Sequence, residues 1–205
     1  SLFSDDTLEL EPNSVLHLKL DGPIRESSNV EFDPMSFNLT SQMGLSDILF
    51  GLEKASSDVN VRGLFIDFGD IDCGMATAKE LRDAILAFQE SGKFVLAYNS
   101  GEYISQKAYY ISSVADEVYA FPKSVFEWKG LGGEVQFFKG LLDKLDVDIE
   151  IIRGSNNDFK SAVEPFYRKS MSDSSRIQTE RYLSSMWSMY LSEIGKTTQI
   201  NKDTL

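Results

Sequence analysis

The chain carries a single cysteine, Cys73, and a single histidine, His17, in 205 residues. One cysteine forms no internal disulfide, and without a His/Cys cluster there is no ligand pattern for a metal; no metal and no other cofactor is expected. The lack of disulfides does not exclude an exported protein, since a well-filled core needs no covalent staple. Positive charge is also scarce: 20 Lys and Arg stand against 32 Asp and Glu, a formal net charge of -12. Nucleic-acid partners are excluded on that ground, because phosphate-backbone affinity rests on a basic surface. No apolar run approaches the ~18 residues of a membrane span, and no signal peptide opens the chain. The GxSxG serine-hydrolase turn is missing. A Ser-His-Asp triad would have to use His17, which shares a strand face with Lys19 and reads as a solvated or core histidine.

What is present is ordinary for a globular protein: 42% hydrophobic and 25% charged residues, enough for a substantial core. Residues 15–20 (VLHLKL) alternate and read as a strand stopped by Asp21-Gly22-Pro23; 24–44 read as loop. A helix follows from Ser46 through Ile48, Leu49, Leu52 and Ala55, then a buried strand, VRGLFIDF (61–68), ending at Gly69-Asp70. Thr77 and Glu80 have capping-box spacing ahead of a helix that buries Leu81, Ala84, Ile85 and Phe88 and stops at Gly92. Strand 93–98, a helix over 103–114 and strand 117–120 come next. Val135, Phe138, Leu142 and Leu145 mark another helix, DIEII (148–152) a further strand, and a last helix begins near Ser172. Single helices between strands imply parallel pairing, so one α/β domain with a mostly parallel sheet is expected over 15–205. The stripe of Trp187, Tyr190, Leu191 and Ile194 packs on the core or on another copy of the chain.

One lysine stands out. In NNDFKSAVEPFYRKS (156–170), Lys160 lies between Phe159 and Ser161-Ala162-Val163. A lysine acts as a base only when its pKa falls from about 10.4 toward about 7–8, and apolar surroundings produce that fall by penalising the ammonium. A neutral lysine beside a serine hydroxyl takes its proton and makes a nucleophile without histidine. Composition alone also allows Lys160 to be a surface charge. Two further features have plain readings beside functional ones: Gly130-x-Gly132-Gly133 as an anion cradle or a tight turn, and Cys73 as a reactive thiol or a small buried residue.

The segments LKLDGPI (18–24), VRGLFIDF, SGKFVLAY (91–98), AYYISSVADEVYAFP (108–122), FFKGLLDKLDVDIEIIRGSNNDFKSAVEPF (137–166) and MSDSSR (171–176) carry a resemblance. Through them the chain resembles the amino-terminal half of the long, two-half signal peptide peptidases of the protease IV family. The resemblance implies a Clp/crotonase-type fold, a spiral of ββα units. It also implies a Ser/Lys serine protease in which Lys160 is the general base. The family's serine lies in the carboxy-terminal half, in a Ser-Gly-Gly-Tyr context; the equivalent stretch here, SQKAYYIS (105–112), has Gln106 at the nucleophile position. Ser105 is one residue away, turned by about 100° on a helix. Ser161 adjoins the lysine on one backbone, where neighbouring side chains rarely face each other. Neither is taken as the nucleophile.

The chain opens on Ser1 and is read as a piece of a longer protein, with residues 1–14 a linker or disordered segment after a missing membrane anchor. Relatives of this type are homotetramers on the outer face of the bacterial cytoplasmic membrane that degrade cleaved signal peptides, serine and lysine meeting across a domain interface. Two alternatives stand beside this one. The first is a non-catalytic half for oligomerisation and substrate binding, with Lys160 in an ion pair with Glu164. The second is a crotonase-like acyl-CoA enzyme, which the negative charge disfavours.

Overall fold

The longest apolar strand organises the sheet. The computed structural model describes residues 10–33, 38–201 and 204, with backbone alone at 29–33 and 38–42. The expected linker at 1–14 therefore lies largely outside the described residues; strand β1 (Ser14–Pro23) begins at its end. VRGLFIDF becomes β4 (Val61–Asp72), which runs past Gly69-Asp70 instead of stopping there. β4 pairs in parallel with β1 on one side and with β5 (Phe94–Asn99) on the other; β5 pairs with β7 (Glu117–Ala120), giving the all-parallel order β1-β4-β5-β7. The pleat sends Leu64, Ile66 and Phe68 to one face with Leu18, Leu20, Val95 and Ala97, and all seven are buried. Each contributes roughly 1.5–3 kcal/mol by leaving water, less for alanine.

That face is covered by helices α1 (Leu45–Ser57), α2 (Met75–Glu90) and α3 (Gln106–Ser112). α3 packs on β4 and β5, and α2 on β5 and both neighbouring helices. α1 buries Leu45, Ile48, Leu52 and Ala55, the helical spacing of the sequence. α2 starts two residues before Thr77, with Gly74 at its N-cap and no side-chain cap, so the Thr77/Glu80 spacing is not used. Its buried face includes Arg82, with Ala84 only half-buried. Arg82 is tolerated there because its guanidinium donates to Ser113 Oγ (2.7 Å), Thr197 Oγ1 (2.8 Å) and the Tyr110 carbonyl. Gly92, at φ +85°, takes the left-handed turn that ends α2.

Two successive strand pairs wind in the same sense. β5 is followed by the short β6 (Tyr103–Ile104) and α3, and β7 by the short β8 (Val125–Phe126); β5 pairs with β7 and β6 with β8, both in parallel. This is the expected spiral, and the 103–114 helix is thus a two-residue strand followed by α3. The segment 24–44 contains an antiparallel hairpin, β2 (Asn29–Asp33) with β3 (Asn38–Gln42), where loop was expected.

Contact density divides the chain into two compact units: residues up to Lys129 together with Ile194–Thr204, and Gly130–Glu193. The second holds α4 (Lys139–Lys144), α5 (Glu164–Tyr167) and most of α6 (Asp173–Thr198). Phe138 N–H donates to the Pro165 carbonyl (2.7 Å) and the Phe138 and Phe166 rings stack at 6.0 Å, tying the start of α4 to α5. The helix expected from Val135 is reduced to six residues, because α4 buries no side chain and a helix this short does not persist on propensity. DIEII (148–152) is not a strand: no ladder reaches it among the described residues, and strand geometry without a pairing neighbour leaves its N–H and C=O groups to water. Among the described residues no helix is long and apolar enough to cross a membrane.

Candidate active site

Lys160 lies in a loop closed by local hydrogen bonds. Asn156 adopts φ +59°, a conformation asparagine accepts more readily than most residues. The Asn157 side chain donates to the Gly154 carbonyl, and the Asn157 carbonyl accepts the Lys160 N–H at 2.9 Å. Arg153 spans the loop: Nη2 donates to the carbonyls of Asn157 (2.8 Å) and Lys160 (3.0 Å), and Nη1 to the Tyr167 hydroxyl.

Immediately after the loop, Glu164 is 3% exposed. Its carboxylate accepts the Ser172 hydroxyl and the Ser172 N–H (3.0 Å), while Ser172 Oγ accepts the N–H of Ser175 (3.1 Å). Ser172 is therefore the N-cap of α6, and a negative charge sits behind it at the positive end of the helix. Burial alone raises the Glu164 carboxyl pKa. The two bonds from Ser172, with Arg168 and Arg153 further off, outweigh that and hold it below the usual glutamate value.

The Lys160 side chain is exposed, and among the described residues no carboxylate or carbonyl engages its ammonium. Glu164, the partner considered for an ion pair, is instead committed to Ser172. Lys160 borders an open groove of about 570 Å³ shared with Phe159, Ser161 and Ala162 and with Gln178, Thr179 and Tyr182 of α6. Lys160 also borders a smaller hollow of about 230 Å³, together with Ile152, Arg153, Gly154, Asn157, Ala162 and Val163. The arrangement presents one unpaired amine at the rim of a mostly apolar groove.

The sequence profile of Peptidase family S49 matches residues 87–205. "Protease 4" of Haemophilus influenzae is 34% identical over 160 residues, covering 78% of this chain and 25% of that protein. The chain belongs to peptidase family S49. Among further S49 relatives, "Protease 4" of Salmonella typhi is 32% identical over 162 residues (78% of this chain, 26% of that one). "Serine protease SPPA, chloroplastic" of Arabidopsis thaliana is 26% identical over 197 residues (96% and 28%). The chain spans about a quarter of the length of these relatives.

S49 membership agrees with the Clp/crotonase-like strand spiral and directs attention to α3. Ser105 is the N-cap of α3: its hydroxyl accepts the Ala108 N–H at 3.1 Å. Gln106 opens the helix, and its side-chain oxygen accepts the Lys129 N–H at 3.3 Å. Ser161 offers its carbonyl to Glu164 N–H (2.9 Å). His17 is exposed and packs its ring at 5.3 Å from Phe65 across the β1–β4 register. Cys73 is buried, which raises its thiol pKa, the opposite of an activated thiolate. Gly130 takes φ +75° in an irregular stretch well before α4, so the Gly130–Gly133 run does not sit at a helix N-terminus. In the first unit a hollow of about 640 Å³ includes Asp116, whose carboxylate already accepts Val95 N–H and the Gln89 amide, both at 2.7 Å. Sequence reading missed Arg153, hidden in the apolar run IEIIRG, and the groove residues of α6, whose polar spacing looks like any solvated helix face.

Proposed function

We propose that this chain is the amino-terminal half of a membrane-associated serine protease that degrades cleaved signal peptides, with Lys160 as the general base of a Ser/Lys dyad. The nucleophilic serine belongs to the carboxy-terminal half. The whole protein acts as a homotetramer anchored at the outer face of the bacterial cytoplasmic membrane. The observation that carries this reading is the amine itself: in an S49 chain, Lys160 is held in a hydrogen-bonded loop, exposed at a mostly apolar groove, and engaged by no acidic partner among the described residues. Gln106 and the capping duty of Ser105 further support placing the nucleophile elsewhere. Apolar walls suit small uncharged side chains, and the backbone donors for the oxyanion then come mainly from the serine-bearing half.

The deciding experiment is Lys160→Ala in the full-length protein. Loss of the base should lower kcat by roughly 10²–10⁴-fold or more, while the melting temperature of this chain, in which the side chain is exposed, stays unchanged. Retention of most activity sinks the assignment.

A further inference from the structure

We propose that Arg153 is a positioning residue for catalysis, the clamp that fixes where Lys160 stands; the proposal rests on the reading of Lys160 as base. Lys160 belongs to neither helix nor strand. Its neighbours give the loop little apolar anchorage: Gly154, Ser155, Asn156, Asp158, Phe159 and Lys160 are all exposed. One backbone bond, Lys160 N–H to Asn157 O, is the only ladder-like contact that the lysine makes among the described residues. Arg153 supplies what the loop lacks. From a half-buried position its guanidinium reaches an acceptor before the lysine (Asn157 O), the lysine's own carbonyl, and an acceptor after it (the Tyr167 hydroxyl). The guanidinium carbon lies 5.5 Å from the Tyr167 ring centroid.

All three bonds end on the segment that carries Lys160 or on the helix that follows it, so the clamp controls the lysine's backbone directly. A guanidinium suits this task because its donors diverge in one rigid plane; an ammonium is a point donor and does not span three separated oxygens. Misplacement of a reacting group by about 1 Å lowers turnover on the order of 10²-fold, so a loosened loop shows in kcat before it shows in the fold.

The test uses Arg153→Met, Arg153→Lys, Arg153→Ala and Lys160→Ala, in this chain and in the full-length protein. Hydrogen exchange of the chain should show amides 157–161 opening at least about tenfold faster in both arginine variants, with β1, β4 and β5 unchanged. In the full-length protein both should lose roughly 10–10²-fold in kcat with KM held within about twofold, and Arg153→Lys should fail nearly as badly as Arg153→Met. Ethylguanidinium added to Arg153→Ala should restore part of the lost kcat, a response that a residue serving stability alone does not give. Unchanged exchange at 157–161, or a fully active Arg153→Lys, overturns the clamp. If Arg153→Met does not fold, Arg153→Lys, which keeps the charge and the stem, decides alone. An active Lys160→Ala removes the base reading, while the exchange result still rules on the clamp.

Discussion

Glu164 is the residue whose behaviour follows most directly from its surroundings. A buried carboxylate that accepts two hydrogen bonds from Ser172 is worth more charged than protonated, and its pKa is lowered on folding. The sign of the pH dependence follows. With the folded value below the unfolded one of about 4.3, the stabilisation is fully present above that pH and disappears as pH falls through the folded value. Glu164→Gln keeps the shape and removes the charge, so it should cost about 1.5–3 kcal/mol at pH 7, the range for bonds to an ionised acceptor. Thermal melts of both proteins from pH 7 to pH 3 should show the gap closing on acidification; a gap independent of pH would mean that Glu164 acts by shape alone. Lys160 is the opposite case. Its proposed chemistry is suggested by the sequence, since DFKSAVEPF is distinctive, but the proposed role of Arg153 is not, because a clamp is defined by which carbonyls come within reach, and carbonyls carry no sequence identity.

At the level of elements, legibility follows burial. β4 and α1 start where the sequence puts them, to within a residue, because each alternates or repeats with the period of its own geometry and buries that pattern, whereas β7 sits at its expected place with all four residues exposed, held by its ladder to β5. The errors fall on elements that depend on partners. DIEII has strand composition but no ladder among the described residues, and the β2–β3 hairpin lies in a Ser/Asn/Asp-rich segment that reads as loop because a ladder partner is not visible in composition. α4 has an apolar pattern that none of the described residues buries. Two stability measurements separate these cases. Leu81→Ala, at a side chain with 0% exposure, should cost about 2–5 kcal/mol, whereas Leu145→Ala just beyond α4, at 62% exposure, should stay within about 0.5 kcal/mol. Ser105→Ala tests an element by its end: loss of the α3 cap should cost about 1 kcal/mol and leave the full-length protein's kcat intact. A collapse of kcat in that variant would return Ser105 to the list of nucleophiles.

For the molecule as a whole, the second unit leaves a large amount of apolar surface uncovered, with Ile152 93% exposed and Tyr182 62% exposed around the loop of Lys160. Scattered apolar residues are normal on a surface, but here they flank the one amine on which the proposed chemistry depends. Base catalysis by an exposed lysine needs water excluded from around it, so the proposed chemistry requires another surface to cover the groove. That surface is, on the proposed reading, the serine-bearing half, and the same closure brings hydroxyl and amine together. The chain should therefore hydrolyse no peptide by itself, at any concentration, while remaining folded by circular dichroism and showing slow exchange in β4 and β5. It should also bind an apolar dye such as anilinonaphthalene sulfonate more strongly than the full-length protein does, because the groove is open. Peptidase activity in the chain that survives removal of Ser105 and Ser161 but is lost in Lys160→Ala would place a nucleophile within these 205 residues and refute the division of the dyad between two halves.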